Sequence, residues 1–260
     1  MRASLFKSLL WAGVVVALVA AFVGCGGDDG DDKGKTEIKA GSPVAVQYTP
    51  FPTVNVPEGP LPTRAADFAS SCQKSDQKQW SEMPAMIIDP SLSYTAVIRT
   101  EKGDITLKLH PDIAPWTVNN FIFLACKGFY DNLTFHRVYQ QAALPQIPHP
   151  FVQAGDPSGR SVMDPVIGGP GYYMPAEISD RSFLKGTVSM AGRGAGAPSS
   201  GSQFFIVLED SPELDGQSTV FGDVMAGFEV LKQLTPRNPQ GGAPPGDKIL
   251  TITIQEGPSP

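Results

Sequence analysis

The chain has 260 residues, 41% of them hydrophobic and 18% charged, enough for one medium-sized domain with a buried core plus additional segments. Its 25 Pro and 27 Gly assign a large part of it to loops and linkers. The formal net charge of -6, with no run of Lys or Arg, argues against a nucleic-acid partner, because binding phosphates leaves a basic footprint.

Arg2 and Lys7 flank the start of an apolar run from Leu9 to Val23, broken by Gly13, which leads into Gly24 and Cys25. A basic start, an apolar centre and a small residue before a cut read as a secretory signal. With Cys25 directly after Gly24, residues 1–25 resemble a bacterial lipoprotein signal. That implies lipidation of Cys25, which becomes the mature N-terminus. The alternative is an uncleaved anchor, although the run falls short of the ~20 apolar residues of a typical span. Either reading places the remaining chain outside the cytoplasm, attached to a membrane.

Residues 26–90 read as a tether. Gly26 to Asp32 is acidic and flexible, and Pro43, Pro50, Pro52, Pro57, Pro60 and Pro62 favour an extended, semi-stiff spacer. Residues 64–83 are at best weakly helical. Setting Cys25 aside leaves Cys72 and Cys126, whose spacing matches no metal site. In an exported protein the two could pair, and a buried free thiol at Cys126 is an equal alternative.

A domain is expected over residues 91–257. Tyr94–Thr100 and Ile105–Leu109 are β-rich runs joined by Glu101-Lys102-Gly103-Asp104, a hairpin signal. Pro115 then opens a helix that carries apolar residues at 118, 121, 122 and 125 and ends before Gly128. Short strands are predicted at 134–138, 151–154, 187–190, 203–208 and 219–224, a second helix over Phe228–Leu234, and a last strand over Ile249–Ile254. Eight strands and two helices predict a mainly β fold, a closed eight-stranded antiparallel barrel capped at its ends by helices.

Side chains alternate along a strand, so Phe204, Ile206 and Leu208 form one apolar face while Gln203, Phe205 and Val207 form the other. Phe151 and Gln153 share a face in the same way, and Arg137 lies opposite in parity to His136 and Val138. Three strands thus offer a guanidinium, two amides and two aromatic rings to one outer surface. His110, His136 and His149 have neither metal spacing nor an evident nucleophile partner, and His136 reads as a hydrogen-bonded structural residue. Gly192-Arg193-Gly194-Ala195-Gly196 lacks the dinucleotide spacing. The surface is suited to binding and polarising a ligand rather than to covalent chemistry.

Phe135-His136-Arg137-Val138, Gln153-Ala154-Gly155-Asp156-Pro157, Gly168-Gly169-Pro170-Gly171-Tyr172, Ser189-Met190-Ala191, Gly201-Ser202-Gln203-Phe204-Phe205-Ile206 and Leu214-Asp215-Gly216 with Val220-Phe221-Gly222 resemble, in order, the motifs of the cyclophilins. The resemblance implies a cyclophilin-like barrel that isomerises X–Pro bonds, needs no cofactor or metal, acts as a monomer and has proline-containing polypeptides as partners. By position, Arg137 matches the catalytic arginine, and Gln203 is assigned with it to the catalytic pair. Phe205, Leu214 and Phe151 would line the proline pocket, Gln153 would hold the peptide, and Ala191 with Gly192 would grip its backbone.

The sequence departs from the family between Val138 and Phe151, where the turn is longer than usual. It also places Gly192 where Asn is frequent, Ser218 where His or Tyr is common, and Glu213 where some members have Trp. These departures leave open a second reading, a module that docks proline segments with little turnover.

Overall fold

The computed structural model describes residues 68–140, 149–241 and 243–258. The signal-like run, Cys25, the acidic stretch and the Pro-rich spacer lie outside the described residues, as do residues 141–148 of the longer turn. After a single helical turn, α1 (Phe68–Ser71), the expected hairpin forms from β1 (Ser93–Thr100) and β2 (Gly103–Leu109). Alternation sets its faces: Tyr94, Ala96 and Ile98 are buried on β1, and Ile105, Leu107 and Leu109 on β2. Ala96 stands opposite Leu107 and Ile98 opposite Ile105, so both strands point one apolar row into the core.

Helix α2 (Pro115–Cys126) starts on its proline and ends at Lys127, followed by Gly128 at φ 66. Its expected apolar positions Val118, Phe121, Ile122 and Ala125 are all buried. Phe121 inserts into the concave side of the sheet, with ring centres 5.5 Å from Phe204, 5.3 Å from Tyr130 and 5.2 Å from Phe221. Burying one such ring contributes about 2–3 kcal/mol.

The remaining strands are β3 (Arg137–Tyr139), β4 (Phe151–Ala154), β5 (Tyr173–Met174), β6 (Thr187–Met190), β7 (Ser199–Ser200), β8 (Phe204–Val207), β9 (Val220–Ala226) and β10 (Ile249–Gly257), with α3 (Phe228–Gln233) after β9. Eight of them form one antiparallel sheet in the order β10-β1-β2-β9-β6-β8-β4-β3, and β5 pairs with β7 separately. α2 packs against β10 and α3 against β2.

Two expectations change. The sheet is a curled half-barrel, and its ladder does not run on from β3 to β10. The seam carries one isolated bridge, Thr134 to Lys248, and backbone bonds from Asn132 N–H to the Ile249 carbonyl (2.7 Å) and from Ile249 N–H to the Leu133 carbonyl (2.8 Å). Regular pairing fails there because Asn132 adopts φ 64 and β3 begins at Arg137 rather than Thr134.

The second change concerns residues 72–90, which the sequence assigned to the tether and which are packed on the domain. Met86, Ile87 and Ile88 are buried in the main core. The Asn119 side chain accepts from Ile87 N–H (2.7 Å) and donates to the Ala85 carbonyl (3.0 Å). Cys72 is disulfide-bonded to Cys126 at the end of α2, with Cα atoms 4.4 Å apart, which settles the cysteine alternatives.

Candidate active site

The sheet order places β8, β4 and β3 side by side, and the register aligns Phe205, Gln153 and Arg137 in one row across them. The next row, Ile206, Val152 and Val138, points the other way and is fully buried. Residues remote in sequence therefore meet on the convex face because their partners one position along fill the core.

The row forms one wall of a cavity of about 280 Å³. Arg137, Phe151, Gln153, Ala191, Gly192, Phe205 and Leu214 all line it, together with Ser218, with His149, for which the sequence showed no metal spacing or nucleophile partner, and with Ser161 and Met163, which the sequence did not single out. Its apolar part is built of packed rings. The Phe205 ring stacks on Phe183 with centres 6.0 Å apart and planes 8° from parallel, and Phe151 packs edge-on against it at 5.9 Å. Phe183, Val207 and Val220 form a small buried cluster behind, on which Phe205 and Leu214 rest. Leu214 comes from the short 3-10 turn Pro212–Leu214.

The polar part is a relay whose direction is determined at one end. The buried Gln203 amide donates both its hydrogens to backbone carbonyls, to Val162 at 2.6 Å and Gly168 at 2.9 Å. Its oxygen is left to accept from Gln153 Nε2 at 2.9 Å. That turns the Gln153 oxygen toward Arg137, whose Nη1 donates to it at 3.3 Å. Both amides are thus locked in one orientation. Gln203 does not line the cavity, and its side-chain donors and acceptor are engaged. The sequence placed Gln203 at the peptide; the structure places it behind Gln153, whose oxygen accepts from Arg137.

Ala191 is nearly buried, and its N–H and carbonyl are both used internally, bonding the Gln203 carbonyl at 2.9 Å and the Ser200 N–H at 2.8 Å. The exposed backbone of Gly192 is the part of this pair open to a ligand. His149 Nδ1 contacts a carboxylate oxygen of Glu213, tying the end of the longer turn to the turn that carries Leu214. No local signal pairs these two residues; only the fold brings them together.

His136 is fully buried, as expected, but the hydrogen bonds expected for it are absent: neither ring nitrogen has a well-formed partner among the described residues. Loss of solvent is the main cause that lowers its pKa to about 4, aided by the Arg137 and Arg237 charges and opposed by Asp156. The ring is therefore neutral near pH 7 and adds no charge beside Arg137. Among the described residues no group of three or more His, Cys, Asp or Glu is placed to hold a metal ion.

Residues 95–255 match the family model described as cyclophilin type peptidyl-prolyl cis-trans isomerase/CLD. A peptidyl-prolyl cis-trans isomerase of Synechococcus elongatus is 44% identical over 161 residues, covering 61% of this chain and 94% of that protein. Peptidyl-prolyl cis-trans isomerase B of Bacillus subtilis is 44% identical over 144 residues, covering 54% of this chain and 90% of its own. Among solved structures, a cyclophilin type isomerase of Cryptosporidium parvum superposes with a TM-score of 0.52 at 30% identity, over 64% of this chain and 99% of that one. The same isomerase crystallised in the presence of the dipeptide Ala-Pro also gives a TM-score of 0.52 at 30% identity, over 62% and 98%.

Proposed function

Because this chain belongs to the cyclophilin-type peptidyl-prolyl cis-trans isomerases, we propose that its isomerase activity rests on Arg137 held beside the Phe205 pocket by the Gln203–Gln153 relay. Rotation about an amide bond has a barrier of about 18–20 kcal/mol because it breaks C–N resonance, and X–Pro bonds exchange over roughly tens to hundreds of seconds. In the twisted transition state the proline nitrogen becomes pyramidal and regains a lone pair. A fixed donor aimed at that lone pair stabilises the transition state more than either planar isomer, the condition for acceleration. A 10⁵-fold rate increase requires about 7 kcal/mol of such differential stabilisation.

The observation that carries this reading is the placement of Arg137. Among the described residues its guanidinium makes one side-chain hydrogen bond, to Gln153, while the residue lines the same cavity as Phe151, Phe205 and Leu214. A proline ring seated on those apolar groups brings its nitrogen beside the guanidinium. Arg137→Ala should lower kcat/KM on a proline-containing peptide by about a hundredfold, the scale of losing one oriented donor, with the thermal midpoint unchanged. Arg137→Lys, a point charge without the planar fork, should stay at least about tenfold down. Wild-type turnover in Arg137→Ala would refute the assignment.

The setting we propose is extracytoplasmic, with the domain held to a membrane through lipidated Cys25 and acting on exported polypeptides. The support is the signal-like segment ending at Cys25 together with the Cys72–Cys126 bond, since disulfides persist in oxidising compartments. Cys25→Ser should move the protein from the membrane to the soluble fraction of the producing cell; retention at the membrane would count against the anchor.

A further inference from the structure

The family match begins at residue 95, yet the residues before it are bonded to the loop that supports the active site. The Gln79 side chain donates to the Gly169 carbonyl at 2.9 Å and to the Val166 carbonyl at 3.1 Å, and Trp80 N–H donates to the Pro170 carbonyl at 2.8 Å. The same loop supplies the Val162 and Gly168 carbonyls that orient Gln203, and its Ser161 and Met163 line the cavity. We propose that residues 72–90 form a strap that positions the catalytic machinery, with Gln79 as a positioning residue acting through the 162–170 loop, Gln203 and Gln153 on Arg137.

Three features favour this over incidental packing. The strap is anchored independently of the loop: Cys72 is bonded to Cys126, and the Trp80 ring packs edge-on against Phe123 at 5.3 Å. Lys78 Nζ donates to the Gly128 carbonyl at 2.6 Å, which adds a third attachment around the end of α2. The strap is also seated closely on the loop. At Gly171, where φ is 105, an added Cβ would lie 3.1 Å from Gln79 Oε1 and collide with the Trp80 carbonyl. Finally, the loop's internal bonds shape it without locating it. Asp164 accepts from Val166 and Ile167 N–H at 2.9 Å each, and Gly171 N–H reaches the Pro165 carbonyl, all within one turn. Its position is set by contacts from outside. Asp156, which accepts from Val162 N–H at 2.7 Å, and Tyr173, whose hydroxyl donates to the Met163 carbonyl at 3.2 Å, hold its start. Gln203 and the strap hold its end at residues 168–170.

The inference rests on the role given to Arg137 above, and the test separates the two. Gln79 is exposed, so Gln79→Ala and Gln79→Glu in the full chain should fold with an unchanged thermal midpoint. Both variants lose the two donated hydrogen bonds. Each should lower kcat/KM by about fivefold, within the range of couplings carried by packed networks. The side-chain amide resonances of Gln203 and Gln153 and the Arg137 Nε–H resonance should shift in both. In a Gln203→Ala background, Gln79→Ala should have no further effect, since the two act on one path. Unshifted resonances and wild-type kcat/KM in both Gln79 variants, while Arg137→Ala is impaired, would overturn the strap's role and leave the arginine's intact. An unimpaired Arg137→Ala would instead overturn the arginine's role.

Discussion

Arg137 is a half-buried cation, and His136, beside it in sequence, is a buried neighbour whose charge would change with pH. The imidazole titrates near 6.5 in an unfolded chain and at about 4 in the folded one. A depressed folded value means the unfolded state binds the proton more tightly between those limits. The associated stability is complete above pH 6.5 and declines as pH falls toward 4, by up to about 3 kcal/mol. Urea unfolding at pH 7 and pH 4.5 should show that decline in the wild type and a flatter profile in His136→Gln; identical profiles would mean His136 is not the group responsible. Asp223 contributes a separate, more acidic step. Burial raises its pKa, but the His110 hydrogen bond and the nearby Arg181 outweigh that and hold it low, so its contribution is lost only as pH falls through the acid range.

At the scale of elements, α2 shows how a helix legible in sequence still depends on a distant partner. Pro115 and the apolar spacing define the helix, but Ala114 offers no side chain to cap it. The N–H groups of its first turn, which have no partner within the helix, are met by Glu177, which accepts from Trp116 N–H at 3.1 Å and from Thr117 N–H and Oγ1 at 2.7 Å each. A carboxylate suits that end of a helix, where N–H groups and the dipole are positive. Burial nevertheless raises its pKa, against the pull of those hydrogen bonds. Glu177→Ala leaves buried donors unpaired and should lower the unfolding free energy by about 3 kcal/mol; a loss under about 1 kcal/mol would show that water caps the helix equally well. The strands behave similarly. The apolar rows of β8 and β4 were readable from alternation, whereas the late start of β3 follows from the Asn132 conformation and from pairing with the segment before β10.

For the whole molecule, the Cys72–Cys126 bond joins residues 54 apart in sequence and contributes about 4 kcal/mol in the chain-entropy account. It also makes the strap part of the domain, although composition alone assigned residues 72–90 to the tether. Met86, Ile87 and Ile88 are too few and too close to Pro84 and Pro90 to give a periodic signal, so their burial could not be foreseen. What the sequence determined by itself was local or ordered along the chain: the hairpin, α2, the alternating faces, the run of motifs and the arginine they contain. Periodicity and motif order survive without knowledge of what packs where. The tertiary structure alone decided that Gln203 lies behind Gln153, that His149 meets Glu213 and that the regular ladder ends at β3. Each of these depends on hydrogen-bond partners and packing between segments far apart in the chain, and no local pattern encodes which distant carbonyl or carboxylate will be within reach.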